Sequence, residues 1–318
     1  MALNLLTRRD SITYISILGS NLEKGEEKEE IDDVQSLHLS PSYKTSYTPS
    51  TSSYTSSNPP SSLPPTPSST PSFTPPSFNL LTDPSTYSSL VYTPQIIKPS
   101  THVLLVLPGA GLNVLSPTDY ISPTSEHLGL PLSLISSSLA PPSLVEGFVV
   151  IQPYPPKNVR SFYSEPRSKI LAFLDYALKE LNLENNKLDL MGFSEGSTLA
   201  VELATTRRFS SAIIASYGYT SALPPLAVSR LSSQSLWVFH CASDAVYPVQ
   251  CSDDLVKTLR ENGNGDVRYT RYEEEGGGGY NVIKGDTRGH AAHLKAGRCE
   301  EVWEWALRGG GERKTLSS

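Results

Sequence analysis

The chain has 318 residues and a net charge of −6, with 26 prolines, 21 glycines and only 18% charged residues. The negative balance offers no basic footprint for nucleic acid, and no apolar run reaches transmembrane length. Cys241, Cys251 and Cys299 are odd in number and widely spaced, so they form neither a disulfide framework nor a metal-ligand pattern.

The chain divides by composition. Residues 1–35 open with Arg8 and Arg9 ahead of a short apolar stretch (Ile12 to Leu18) and an acidic run from Glu23 to Asp33. Two readings stand here: the remnant of an organelle-targeting signal, or an untargeted terminus of a cytoplasmic chain. Residues 36–77 are Ser, Thr, Pro and Tyr almost throughout. Such a segment buries little apolar surface, and its prolines lack backbone donors, so residues 1–90 are read as a disordered N-terminal region. A solvated spacer and a partner-binding segment are the two roles open to it. A globular domain is expected over 91–308, followed by a flexible tail over 309–318.

In chain order, a first strand is expected near 92–97. Val103-Leu104-Leu105-Val106-Leu107 follows, a continuous apolar run suited to a strand buried on both faces, ending at Pro108-Gly109-Ala110-Gly111. A long loop is read over 112–146, with one short helix near 131–139. Phe148-Val149-Val150-Ile151 is the next strand, running to Tyr154. Ile170, Phe173, Leu174, Ala177, Leu178 and Leu181 recur at helical spacing after Pro166, which suits a first turn.

Leu188-Asp189-Leu190-Met191 then leads into Gly192-Phe193-Ser194-Glu195-Gly196, and a helical run starts at once. This reads as strand, very tight turn and helix, with Ser194 at the apex and Gly192 and Gly196 supplying the room it needs. Further strands are expected at 212–215, before Tyr217-Gly218-Tyr219, at 236–239, before His240, and at 267–272. Helices are expected at 248–262 and 291–307, with a mobile glycine turn at 276–279. Buried strands alternating with helices predict an α/β fold, a mostly parallel doubly wound sheet flanked by helices. In such a sheet reactive groups gather beyond the carboxyl ends of the strands.

A serine hydroxyl needs a base, an anion to orient that base, and donors for the oxyanion it creates. Asp244 ends the His240-x-x-x-Asp244 turn after an apolar strand, which makes it the preferred acid over Asp253 and Asp254 inside the next helix. His290, in Thr287-Arg288-Gly289-His290, is preferred as base over His293, which falls at a helix start. His240 is read as bracing the acid's turn. The backbone amides of Glu195 and Ala110 are the candidate oxyanion donors. Tyr154, Tyr217 and Tyr219 are candidates for lining a substrate pocket.

With these elements in this order, the chain resembles the α/β-hydrolase superfamily over about residues 95–307. The small lidless members are nearest: phospholipase/carboxylesterases with their acyl-protein thioesterases, fungal-type serine hydrolases and dienelactone hydrolases. The sequence departs from their pattern at Pro108 (often His), Glu195 (Gln), Ser197 (often Gly) and Cys241 (Gly), and the Asp244-to-His290 interval is stretched by 273–279. The resemblance implies hydrolysis of a small-molecule carboxylic ester or acyl thioester through an acyl-enzyme on Ser194, with no metal or cofactor. Two alternatives accompany it: a non-catalytic binding protein on the same fold, and a peptidase or lipase/phospholipase on the same three residues.

Overall fold

The computed structural model describes residues 77–110, 130–155, 159, 165–219, 222–273 and 289–311. The N-terminal segment up to residue 76, the loop at 112–129, the glycines at 276–279 and residues 312–318, all read above from composition, lie outside the described residues.

The core is an eight-stranded sheet in the order β1-β2-β4-β3-β5-β6-β7-β8. Its strands are β1 (Phe78–Thr82), β2 (Ser88–Tyr92), β3 (His102–Leu107), β4 (Phe148–Tyr154), β5 (Leu188–Phe193), β6 (Ser211–Ala215), β7 (Ser235–Cys241) and β8 (Val267–Tyr272). From β4 to β8 every pairing is parallel; β2 runs antiparallel to both β1 and β4. Because neighbouring side chains on a strand point to opposite faces, the apolar run of β3 feeds two cores. Leu105 and Leu107 join Val149, Ile151 and Leu190 on one face. Leu104 and Val106 join Phe148, Val150 and Met191 on the other. Each fully buried leucine contributes about 1.5–3 kcal/mol, so this strand anchors both layers.

Helices α3 (Arg167–Glu180), α4 (Glu195–Ala204), α5 (Pro225–Leu231) and α6 (Gln250–Glu261) cover the first face. The second is covered by α1 (Pro131–Ser136), α2 (Pro142–Gly147), α7 (Ala292–Arg298) and α8 (Glu300–Leu307). The apolar stripe of α3 is buried as its spacing predicts, through Ile170, Phe173, Leu174, Ala177 and Leu178. Among the described residues no helix is long and apolar enough to cross a membrane, and no cluster of three or more His, Cys, Asp or Glu is placed to hold a metal ion.

Four details differ from the sequence reading. The sheet begins at Phe78 rather than after residue 91: Ser88–Tyr92 is a full strand, and 93–97 is not. It forms because Leu90, Val91 and Tyr92 are buried through pairing with β4, a long-range partnership that no local pattern announces. Second, helix α2 lies where a loop was expected, and α5 forms in a stretch for which no element was expected. Third, the final helix is two helices. Cys299 adopts an extended conformation (φ −85°, ψ 113°) between them, and Trp303 Nε1 donates to the Gly297 carbonyl at 2.8 Å, closing α7 from the side. Fourth, the tail is docked as far as residue 311. Gly310 is buried and the Gly311 amide donates to the Asp266 carboxylate at 2.9 Å.

Candidate active site

Ser194 sits between β5 and α4 with φ 56° and ψ −126°. A non-glycine residue held at such angles costs about 1–3 kcal/mol and persists only where its surroundings over-determine it. Here they do. The Ser194 amide donates to the Ala215 carbonyl at 3.0 Å, and its carbonyl accepts from the Ser197 amide at 2.9 Å. The Ser197 hydroxyl donates to the same carbonyl at 2.5 Å, which gives that departure from the family pattern a role. The flanking glycines are required by space. A Cβ on Gly196 would lie 2.1 Å from the Leu107 carbonyl oxygen, and one on Gly192 would lie 2.4 Å from the Gly196 oxygen.

His290, at the start of the segment leading into α7, places Nε2 2.9 Å from Ser194 Oγ. Its Nδ1 lies 2.8 Å from Asp244 Oδ2. Both Ser194 and His290 are buried, at 8% and 5% exposure, so the relay is shielded but reachable. Asp244 closes the loop after β7. Its Oδ1 accepts the amides of Val246 and Tyr247, each at 2.9 Å. Its Oδ2 also lies 3.1 Å from His240 Nε2. Burial alone would raise this carboxyl, but the hydrogen bonds from His240, His290 and the Tyr247 amide outweigh it and hold Asp244 well below the usual carboxylate range. His240 itself is pinned from behind: Nδ1 accepts the Ser252 hydroxyl at 2.7 Å, and Nε2 donates to the Tyr247 carbonyl at 3.1 Å. It braces the acid's turn, as expected.

Ser194, His290 and Asp244, far apart in sequence, are thus brought into one relay. His293 is not part of it. Its ring lies on Phe193, centroids 3.7 Å apart, inside α7 and 1% exposed. Glu195 follows Ser194 directly, and Ala110 follows Gly109 in the turn after β3. Gly109 runs so close that a Cβ there would be 3.1 Å from Ser194 Cβ. Glu195 opens α4, where first-turn amides have no acceptor within the helix.

The three candidate pocket tyrosines stand in two places. Tyr217 and Tyr219 line a cavity of about 360 Å³ against α6, with Leu223, Cys251 and Leu255; Ser194 and His290 are not in its lining. Tyr154 ends β4, two strands from β5, and bonds to Ser88. The tyrosine that does reach the centre is Tyr247, whose ring meets His290 edge-on at 5.4 Å. Sequence reasoning passed over it. The signal that marks it is its place three residues after Asp244, where an aspartate side chain folds the following backbone onto itself.

No protein-family model matches the chain, and no curated protein does. Among solved structures it is similar to a thermostable esterase, at 22% identity and a TM-score of 0.51, over 74% of this chain and 63% of that one. The chain therefore spans less than two thirds of that esterase. It is also similar to Zea mays acyl-protein thioesterase 2, at 18% identity and a TM-score of 0.46, over 70% of this chain and 99% of that one. A third is Est1E from Butyrivibrio proteoclasticus, at 13% identity and a TM-score of 0.46, over 73% and 98% of the two chains. The fold is that of the α/β hydrolases.

Proposed function

We propose that this α/β-hydrolase-fold protein is a serine hydrolase that cleaves a carboxylic ester or thioester through an acyl-enzyme on Ser194. The observation that carries the reading is the relay Ser194–His290–Asp244, at 2.9 and 2.8 Å, with the serine at a strained strand-to-helix turn.

Asp244, held ionised, accepts the His290 Nδ1–H and so leaves Nε2 free to act as base. Ser194 attacks the acyl carbonyl as His290 takes its proton. The oxyanion is received by the amides of Glu195 and Ala110, helped by the positive end of α4. Collapse expels the alcohol or thiol, which takes the proton from His290. Water then repeats the sequence on the acyl-enzyme and frees the acid. The acyl chain and the leaving group of the substrate are open. The globular part from about residue 78 to 311 is the part assigned this activity.

A fluorophosphonate probe tests the reading: it labels the wild-type protein, and Ser194→Ala abolishes the labelling. Labelling that survives the substitution removes Ser194 from the role. Absent labelling together with absent turnover of activated esters would leave a binding protein on this fold.

A further inference from the structure

Tyr217-Gly218-Tyr219 follows β6, and the relay makes no use of it. Gly218 is the seat of another side chain. A Cβ there would fall 2.3 Å from one atom of the Tyr247 ring and 2.4 and 2.5 Å from two more. Tyr247 is fixed through its backbone as well: its amide donates to Asp244 Oδ1 at 2.9 Å, and its carbonyl accepts from His240 Nε2 at 3.1 Å. From that seat the ring meets the His290 imidazole at 5.4 Å and 78°. A second ring meets the same imidazole. Phe193 lies 5.1 Å from it, inclined at 40°. Phe193 is backed in turn by His293, 3.7 Å away at 35°, and by Gly109, where a Cβ would be 3.4 Å from two of its ring atoms.

These contacts bear on the base. In the resting site both imidazole nitrogens are hydrogen-bonded, Nδ1 to Asp244 and Nε2 to Ser194 Oγ. Acylation removes the second bond, because the ester oxygen of an acyl-enzyme has no proton to give. The bond to Asp244 then remains, and one hydrogen bond alone lets a ring turn about it. Two aromatic rings at different inclinations, each packed against its own backing, oppose that turning.

From this geometry we infer that Tyr247 is a positioning residue for the base: its ring, seated on Gly218, keeps the His290 imidazole aligned between Asp244 and the reacting centre, with Phe193 as the second wall. This role presupposes the acyl-transfer reading above. It belongs to the ring and not to the phenol, and no bond forms or breaks at Tyr247.

Tyr247→Phe keeps the ring, and Tyr247→Leu removes it while leaving both backbone hydrogen bonds in place. Stopped-flow hydrolysis of p-nitrophenyl acetate gives the acylation and deacylation rates and the dissociation constant of the ester. In Tyr247→Leu both rates should fall by about 10- to 100-fold, the scale of a small misplacement of a reacting group, with the dissociation constant within about twofold. Tyr247→Phe should keep both rates within about twofold. A second readout needs no turnover: the low-field proton resonance of the His290 Nδ1–H, identified by its loss in His290→Gln, should persist in Tyr247→Phe and broaden or vanish in Tyr247→Leu. Unchanged rates in Tyr247→Leu, an equal fall in Tyr247→Phe, or a resonance that Tyr247→Leu leaves unaltered overturns the inference and leaves the acyl-transfer reading standing. A wild-type protein that neither turns over the ester nor takes the fluorophosphonate label overturns that reading, and the resonance then decides the seating of His290 by itself. Should Tyr247→Leu not fold, Gly218→Ala displaces the ring without altering any residue that meets His290. The same falls in rate are expected there, and wild-type rates count against the inference.

Discussion

The sheet carries a Ser, a His and an Asp at each of its two edges, and the two sets are wired differently. At the carboxyl edge the histidine is central: His290 lies 2.9 Å from Ser194 and 2.8 Å from Asp244. At the amino edge the aspartate is central. Asp189, second residue of β5, lies 2.6 Å from His102 Nδ1 through one oxygen and accepts the Ser211 hydroxyl at 2.7 Å through the other. There the serine proton points into a carboxylate, away from any imidazole nitrogen that could take it. Ser211 and Asp189 have no exposed surface, and Ser211 lies in regular strand, whereas Ser194 is lifted on a strained turn. The same three residue types make the relay of the proposed nucleophile in one arrangement and a strut in the other. What differs is the order of the hydrogen bonds and the end of the strands at which they stand.

Substitutions separate the two sets, and the largest effects belong to the carboxyl edge. Ser194→Ala should lower ester turnover by about 10⁴-fold or more, measured as kcat/KM on p-nitrophenyl esters with the melting temperature unchanged within a few degrees. Asp244→Asn should cost about 10³–10⁴-fold in kcat, because the amide no longer holds His290 in the productive tautomer. A loss under tenfold would mean that the acid lies elsewhere.

Asp244 also links this edge to pH. Its folded pKa is depressed, so its contribution to stability is present above the unfolded value of about 3.9 and is lost as pH falls towards the folded value. The difference in melting temperature between wild type and Asp244→Asn should be constant from pH 8 to pH 5 and narrow below about pH 4. A gap indifferent to acid would refute the assignment of those four donors.

At the amino edge the expected cost is stability. Asp189→Ala orphans two buried groups and should remove about 3 kcal/mol, lowering the melting temperature by roughly 6–12 °C. Turnover per folded molecule at 25 °C should stay within about twofold. Ser211→Ala is the mildest, at about 1 kcal/mol, read by denaturant unfolding. A fall in kcat comparable to that of Ser194→Ala would dissolve the contrast between the edges.

Much of the carboxyl edge was legible in the chain. Gly192 and Gly196 around Ser194, an acidic turn after an apolar strand and a Gly-His pair ahead of the last helices are local signals, because each depends on backbone geometry within a few residues. The amino-edge set was not legible. His102, Asp189 and Ser211 have no motif; they meet only because β3, β5 and β6 are adjacent in the sheet. Tyr217 and Tyr219 follow their strand as expected and line a cavity against α6, a placement that a residue's position in sequence does not set.

The sequence by itself determined the alternation of buried strands and covering helices, and with it a parallel sheet with Ser194, Asp244 and His290 at strand ends. Apolar period and glycine placement are properties of neighbouring residues, and they act before any long-range contact forms. Only the tertiary structure decided that β1 and β2 extend the sheet, that the last helix breaks at Cys299, that His290 rather than His293 faces Ser194, and that Tyr247 joins them. Those outcomes turn on strand pairing and on packing between segments tens of residues apart, where a shift of a few ångströms makes or removes a hydrogen bond.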